Sequence, residues 1–363
     1  MAGLEKERRE QYNRKVEEDF PDRLSIGDFT KKLSLRYGQN PGSSAAFYSE
    51  AGATGAMADF EILKSGKNGL GFINVADMDL GQRVVRTLHD LHNTEGLVAC
   101  CIVKHEIPSG VAMGTESYNI FVNAYDSDPL SNFGGVHVFS GQVSEKLAEL
   151  LIEKERNAEV VYAPSFTPEA LEILSKRNSL RVVKMPDINA VSIDNGLEYK
   201  RVEGGMLVER RQKLRTLTPN DIEIVSERKP SDQEVSAALF NWTVAFYTRS
   251  NAVVIGTEYK THGIGSGQRS RIDAAEQAIY FANGRNGKNK GHGSKGTFMA
   301  SDAFMPATDV VEIAANAGAT GIIYPLGSVK DQEVIDVANK KGLSMIATRK
   351  PGTQDCERVF LHR

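Results

Sequence analysis

The sequence predicts an α/β protein built twice over, and three observations carry that expectation. Short apolar runs alternate with segments of helical period along most of the chain. One run, residues 97–103 (LVACCIV), is continuously apolar, as a strand buried on both faces must be. Two distant passages repeat one order: a helix, a short strand ending near a tyrosine, then a turn opening a second helix.

Taken in order, Leu4, Tyr12, Val16 and Phe20 recur at multiples of four and predict a short surface helix. The 97–103 strand ends in Lys104-His105-Glu106, and Pro108 and Gly110 are expected to force the turn that follows. That sets the Lys-His pair at a strand's C-terminal edge, where open α/β sheets place their sites. In the first repeated passage a helix over 145–156 precedes a strand over 159–163, and Thr167 caps a helix with Pro168 at its first position. Ser231 and Glu234 have capping-box spacing before Val235, Ala238, Leu239, Trp242 and Ala245, an apolar stripe that reads as core. That helix breaks at 248–251 and a strand resumes over 252–255, which displays Asn251 at the junction. The second passage has a helix over 309–317, a strand over 321–324, and Ser328 and Asp331 at capping-box spacing before a further helix. The expected division is an extension over 1–30, one unit over 31–215 and a second over 216–363.

Composition narrows the function. With 44 basic against 47 acidic residues and a net charge of −3, the chain has no general attraction for nucleic acid or anionic lipid, so any anion site is local. Cys100, Cys101 and Cys356 form neither a C-x-x-C pair nor an even-numbered framework, which fits a reducing cytoplasm and no zinc ribbon. The N-terminal residues mix acids and bases without an apolar core, unlike a secretory signal, and no run approaches the roughly 20 apolar residues of a membrane span.

Four segments could carry chemistry. Lys104-His105 joins a base suited to neutral pH with an ammonium able to stabilise an oxyanion, although such a pair is also common on plain surfaces. Residues 35–41 (LRYGQNP) offer a guanidinium and a phenol that could grip a phosphate and stack on a heterocycle, or simply form a loop with a structural arginine. Gly263, Gly265 and Gly267, before a helix expected near Ser270, would let backbone N–H groups approach an anion, without the dinucleotide fingerprint. Residues 284–296 (GRNGKNKGHGSKG) hold five glycines and five Lys, Arg or His, and read either as a mobile surface loop or as a cationic flap for a phosphorylated ligand. His105-Glu106 before Pro108 lacks the H-x-E and P-C-x-x-C spacing of a zinc deaminase, which speaks against a zinc site.

Together these segments resemble one family, the AICAR (5-aminoimidazole-4-carboxamide ribonucleotide) transformylase portion of the bifunctional purine enzyme that also carries an IMP cyclohydrolase domain. The resemblance rests on LRYGQNP (35–41), GFINVAD (71–77), IVKHEIPSGVA (102–112), DPLSNFGG (128–135), EVVYAPSFTPEALEIL (159–174), SNAVVIG (250–256), GIGSGQRSRID (263–273), ASDAF (300–304) and GSVKDQEVID (327–336), in the family's order. It implies two tandem cytidine-deaminase-like three-layer domains without zinc, a homodimer with active sites between subunits, and a transformylase without the cyclohydrolase domain.

The resemblance also implies the chemistry: a formyl group passes from 10-formyltetrahydrofolate to the 5-amino group of AICAR. His105 would be the base, with Lys104 and Asn251 positioning the reactants and stabilising charge on the formyl oxygen. Arg36, Tyr37, Asn74, Gly134, Glu159, Arg271, Phe304 and Arg358 match positions that hold the ribonucleotide. Ile272, Asp309, Ser328 and Val329 fall where the family contacts folate. The chain departs from the pattern at Gly42-Ser43, in place of His-Gln, and at Phe304-Met-Pro-Ala-Thr-Asp309, which lacks two aromatics and an arginine of the folate region. A different formyl donor, or a purine-nucleotide-binding protein without catalysis, therefore stand as alternatives.

Overall fold

The computed structural model describes residues 20–92, 96–188, 196–210, 219–288 and 290–348. The helix expected around Leu4, Tyr12 and Val16 lies outside them, as do Cys356 and Arg358. The chain opens on a hairpin, β1 (Phe29–Leu35) with β2 (Ala45–Glu50). The first unit then runs β3 (Glu61–Lys64), α1 (Phe72–His92), β4 (Val98–Lys104), β5 (Ile107–Gly114), α2 (Ser117–Ser127), α3 (Pro129–Asn132), β6 (Gly135–Phe139), α4 (Glu145–Leu151), β7 (Ala158–Ala163), α5 (Pro168–Ser175) and β8 (Arg181–Lys184). A second hairpin, β9 (Leu197–Val202) with β10 (Gly205–Arg210), leads to β11 (Ile222–Ile224), α6 (Asp232–Phe246), β12 (Val253–Gly256), β13 (Thr261–Gly265) and α7 (Arg271–Ala282). The chain continues through β14 (Phe298–Ser301), α8 (Asp309–Asn316), β15 (Gly321–Tyr324), α9 (Asp331–Lys341) and β16 (Ser344–Thr348).

The duplication is visible in the sheets. One six-stranded sheet has the order β3-β8-β7-β6-β4-β5 and the other β11-β16-β15-β14-β12-β13. Each is parallel across its middle three strands and antiparallel elsewhere. Register extends the match to single residues: Ala99 N donates to Ser140 Oγ at 2.8 Å, and the corresponding Ala252 N donates to Asp302 Oδ1 at 3.1 Å. A serine in one unit thus stands where the other has a carboxylate.

Burial explains the layering. α1 and α6 lie in a central apolar cluster fed by both sheets, with Leu80, Val84 and Leu88 from one helix and Ala238, Trp242 and Ala245 from the other. The stripe read as core is core. Separate clusters cover the outer faces, one under α2, α4 and α5, the other under α7, α8 and α9. The sheets meet at their edges, where Ala112 of β5 bridges antiparallel to Lys260, and Met113 N donates to Tyr259 O at 2.8 Å. That meeting turns one unit end for end against the other.

Local expectations mostly hold. Thr167 accepts from Ala170 N ahead of Pro168, and Ser231 with Glu234 completes a capping box. Others need correction. The helix expected over 145–156 stops at Leu151, followed by a separate 3₁₀ turn (Lys154–Arg156). Ser328 and Asp331 form no capping box: the Asp331 carboxylate accepts from Gly327 N and Ser328 N, and the Ser328 hydroxyl accepts from Lys330 N. The glycines at 263 and 265 do not form an open loop ahead of the helix. They lie in β13, where a Cβ would overlap the carbonyl oxygens of Ala278 and Ala274, so their bareness lets α7 lie directly on the strand. Ala274, Ala275, Ala278 and Ala282, all buried, supply the matching small face.

The turn after β4 is also not where proline and glycine suggest. Lys104 pairs with Ile107, so His105 and Glu106 are themselves the two-residue turn, with φ of 55° and 60°. A two-residue hairpin takes left-handed backbone, usually through Asn-Gly, and His-Glu hides it. Pro108 is tolerated inside β5 because that strand ends its sheet and faces a register shift at Ile102/Val103.

Candidate functional site

The first cluster of candidate residues gathers where α1 begins. Arg36 N donates to Leu70 O at 2.8 Å and Phe72 N to Tyr37 O at 3.0 Å, lacing the 36–37 loop to the helix entry. The exposed Arg36 guanidinium lies 4.6 Å from the Tyr37 ring centroid and donates to its hydroxyl at 3.2 Å. One turn in, Asn74 accepts from Gly71 N and donates to Glu159 Oε2, both at 2.9 Å. Arg181 holds the preceding turn through Gly69 O and Lys67 O, close to the charges of Glu159 and Arg36.

β4 delivers the Lys-His pair to the same edge, since it runs antiparallel to β6 and ends where β6 and β7 begin. Lys104 Nζ donates to Phe133 O at 2.8 Å. The carbonyl belongs to a braced ledge: Asn132 donates to Ala124 O and Tyr125 O, its side-chain oxygen accepts from Ser109, and Gly134, at φ 77°, donates to Asn157 O. His105 is exposed in its turn. Beneath it sits Asp77, 3% exposed, whose carboxylate accepts from His105 N at 3.2 Å and Glu106 N at 2.6 Å. Burial pushes the Asp77 carboxyl up to about 7; the two N–H groups pull it down, and nearby Glu106 and Glu159 push it further up.

The second cluster lies at the opposite edge of the corresponding sheet, where β12 starts and β14 and β15 end. Asn251 donates to Gln268 O at 2.9 Å and Arg269 O at 3.2 Å. Arg271, first residue of α7, is buried and ion-paired with the fully buried Asp302, which also accepts from Ser250. Burial lowers the Arg271 pKa to about 10. Phe304 and Ile272 are half-buried nearby along the chain, Asp309 opens α8 with its carboxylate on Val310 N, and Val329 is 59% exposed beside buried Ser328. Because β5 and β13 meet antiparallel, the opposite edges of the two sheets turn toward one side of the molecule.

The 284–296 segment is anchored to the first unit at Arg285, Lys290 and His292. Arg285 forks onto Asp128 at 3.2 and 2.7 Å and reaches Ser131 Oγ at 2.9 Å. Lys290 pairs with Asp126 at 3.1 Å, and His292 donates to Asn123 O at 2.9 Å. His262 donates to Gly293 O at 2.6 Å and packs on His292. The segment is a strap in which Arg285 and Lys290 are matched by acids of the first unit, a pairing with no signature in local sequence.

Comparison with known proteins settles the kinship. A family model described as AICARFT/IMPCHase bienzyme matches residues 5–280. The chain belongs to the AICARFT/IMPCHase bienzyme family. It is similar to the bifunctional purine biosynthesis protein PurH of Acidithiobacillus ferrooxidans, 40% identical over 329 residues, which cover 91% of this chain and 59% of that relative. The PurH of Polynucleobacter asymbioticus is 36% identical over 339 residues, 92% of this chain and 61% of the relative. That of Clostridium botulinum is 37% identical over 333 residues, again 92% and 61%. The chain thus spans about three fifths of the length of these relatives.

Within this AICARFT/IMPCHase chain the structure adds residues that the motifs left out. Asp77 lay inside the GFINVAD stretch, one helical turn after Asn74, and that spacing was the available signal. Asp302 likewise lay inside the ASDAF stretch, whereas Arg181 had no signal, because the carbonyl that gives it meaning is 112 residues away. Among the described residues, no group of three or more His, Cys, Asp or Glu side chains is placed to hold a metal ion, and no helix is long and apolar enough to cross a membrane.

Proposed function

We propose that the protein transfers a formyl group from 10-formyltetrahydrofolate to the 5-amino group of AICAR, giving FAICAR and tetrahydrofolate in the synthesis of IMP. The observation that carries this reading is the convergence of Lys104 and His105 on the edge that also holds Arg36, Tyr37, Asn74 and Glu159. Arg36 is the phosphate ligand, being exposed and cationic, while Tyr37 offers a face to the imidazole ring and the Asn74–Glu159 pair offers both acceptors and a donor to the carboxamide and ribose. Arg271 is already neutralised by Asp302, so its part is to shape the edge beside Asn251 more than to supply charge.

His105 takes the proton that the weakly nucleophilic amine must lose, and the Lys104 ammonium, steadied by Phe133 O, faces the charge gathering on the formyl oxygen. Asn251 orients the reactants from the second unit. The folate supplies the activated formyl group when bound. Ile272 and exposed Val329 suit the flat pterin, and the Asp309 carboxylate its amino group. The cytidine-deaminase-like ancestry of both units, without zinc, and a cytoplasmic homodimer with shared sites belong to the same reading, which the matching six-stranded sheets and the family kinship support.

A second reading keeps AICAR and changes the donor, favoured by the loss of aromatics and arginine in the segment from Phe304 to Asp309. One assay tests both: follow tetrahydrofolate release from AICAR and 10-formyltetrahydrofolate, for wild type and His105→Ala. Absence of release by wild type removes the leading reading; FAICAR formed only with another donor selects the second. Tight AICAR binding without turnover by any donor leaves a binding protein. Specific activity that stays constant on dilution to monomer removes the shared site.

A further inference from the structure

The turn that presents His105 pairs two left-handed non-glycine residues, a conformation the chain does not adopt unaided. Both backbone groups that the turn directs at α1 are donors, the N–H of His105 and the N–H of Glu106, and both end on one carboxylate. The other unit offers a contrast. There α6 directs Asn241 toward the end of β12, where it donates to Phe298 O, and a neutral amide meets a carbonyl. At the His105–Glu106 turn the two converging donors meet the two separate oxygens of one carboxylate, where an amide would set an N–H group against one of them.

We propose that Asp77 is a positioning residue for the reaction: through its two hydrogen bonds it locks the His105–Glu106 turn and so aims the His105 imidazole at the amine to be formylated. This rests on the reading of His105 as base. Asp77 lies on the buried face of α1, 3% exposed, so it touches no substrate and acts through the backbone it holds. Its burial is costly for a charge, and the two N–H groups offset part of that cost, so the carboxylate and the left-handed turn are tied to each other.

The isosteric Asp77→Asn variant turns one acceptor into a donor facing an N–H. In the full chain, kcat is expected to fall about 30-fold while the AICAR dissociation constant, measured by calorimetry, stays within about twofold. Amide hydrogen exchange at His105 and Glu106 should accelerate at least tenfold, with exchange in β7 unchanged. Glu106→Gly, which frees the second turn residue from left-handed strain, should recover part of the lost kcat when added to Asp77→Asn. Unchanged exchange at the two amides overturns the proposal, as does an unchanged kcat, or AICAR affinity and melting temperature falling in step with kcat. Should wild type itself show no turnover, the formyl-transfer reading fails, and the exchange data alone then decide whether Asp77 holds the turn.

Discussion

Arg285 of the second unit forks onto Asp128 of the first, with its Nε and Nη2 on separate carboxylate oxygens. Asp128 also accepts from Ser131 N at the start of α3, the segment leading to the Phe133 carbonyl that receives Lys104. A strap distant in sequence thereby braces one wall of the candidate site. Arg285→Ala should lower stability by about 2 kcal/mol in urea unfolding, because the pair is partly buried and doubly hydrogen-bonded. Arg285→Lys keeps the charge without the fork and should recover less than half; full recovery would show that charge alone matters.

The Arg271–Asp302 pair is more deeply enclosed, at 7% and 0% side-chain exposure. Asp302→Ala leaves a guanidinium buried and unpaired, for an expected loss of about 3–5 kcal/mol. It also removes the acceptor of Ala252 N, at the start of β12. Replacing both partners with apolar residues should cost less than Asp302→Ala alone, and equal losses in chemical denaturation would contradict this account.

Gly265→Ala should destabilise by about 1–3 kcal/mol, since the added methyl meets the Ala274 carbonyl of α7 and one element must move. Gly205→Ala is the control: its methyl would meet only Val202 at 3.8 Å, so its effect should stay within about 0.5 kcal/mol. Similar melting temperatures for the two variants would refute the close-packing role.

Stability should depend on pH through opposed groups. Burial lowers His137, beside Arg177, and His262, beside His292 and Lys260, to about 4. Between 6.5 and 4 the unfolded chain binds protons that the fold does not, so this part of the stability is present above 6.5 and lost on acidification, by up to about 3 kcal/mol per histidine. Asp77, raised to about 7, acts the other way: stability is full below 3.8 and declines as pH rises to 7. Removing that counterweight in Asp77→Asn should make the drop in melting temperature from pH 7.5 to 4.5 larger than in wild type. A smaller drop would reverse the assignment.

Local signals were legible where one segment carries its own reason. The strand around Cys100 and Cys101, the Thr167 cap, the Ser231 box and the α6 stripe follow from apolar pattern and capping chemistry within a few residues. Punctuation residues misled where tertiary packing used them otherwise. Pro108 and Gly110 went into an edge strand, and Gly263 and Gly265 serve the close approach of α7 to β13. Arg36, Tyr37, Asn74, Lys104 and Glu159 were named from motifs, yet only folding brings residues 36, 74, 104 and 159 to one edge.

The alternation of strands and helices, its repetition along the chain and the chemical types available were already fixed locally, because propensity, periodicity and capping act over neighbouring residues. Which carboxylates are buried beneath which turns depends on packing between distant segments. Asp77 under His105, Asp302 against Arg271 and Asp128 against Arg285 join positions 28, 31 and 157 residues apart. Desolvation and hydrogen-bond geometry, which exist only once the chain is packed, set what those charges do.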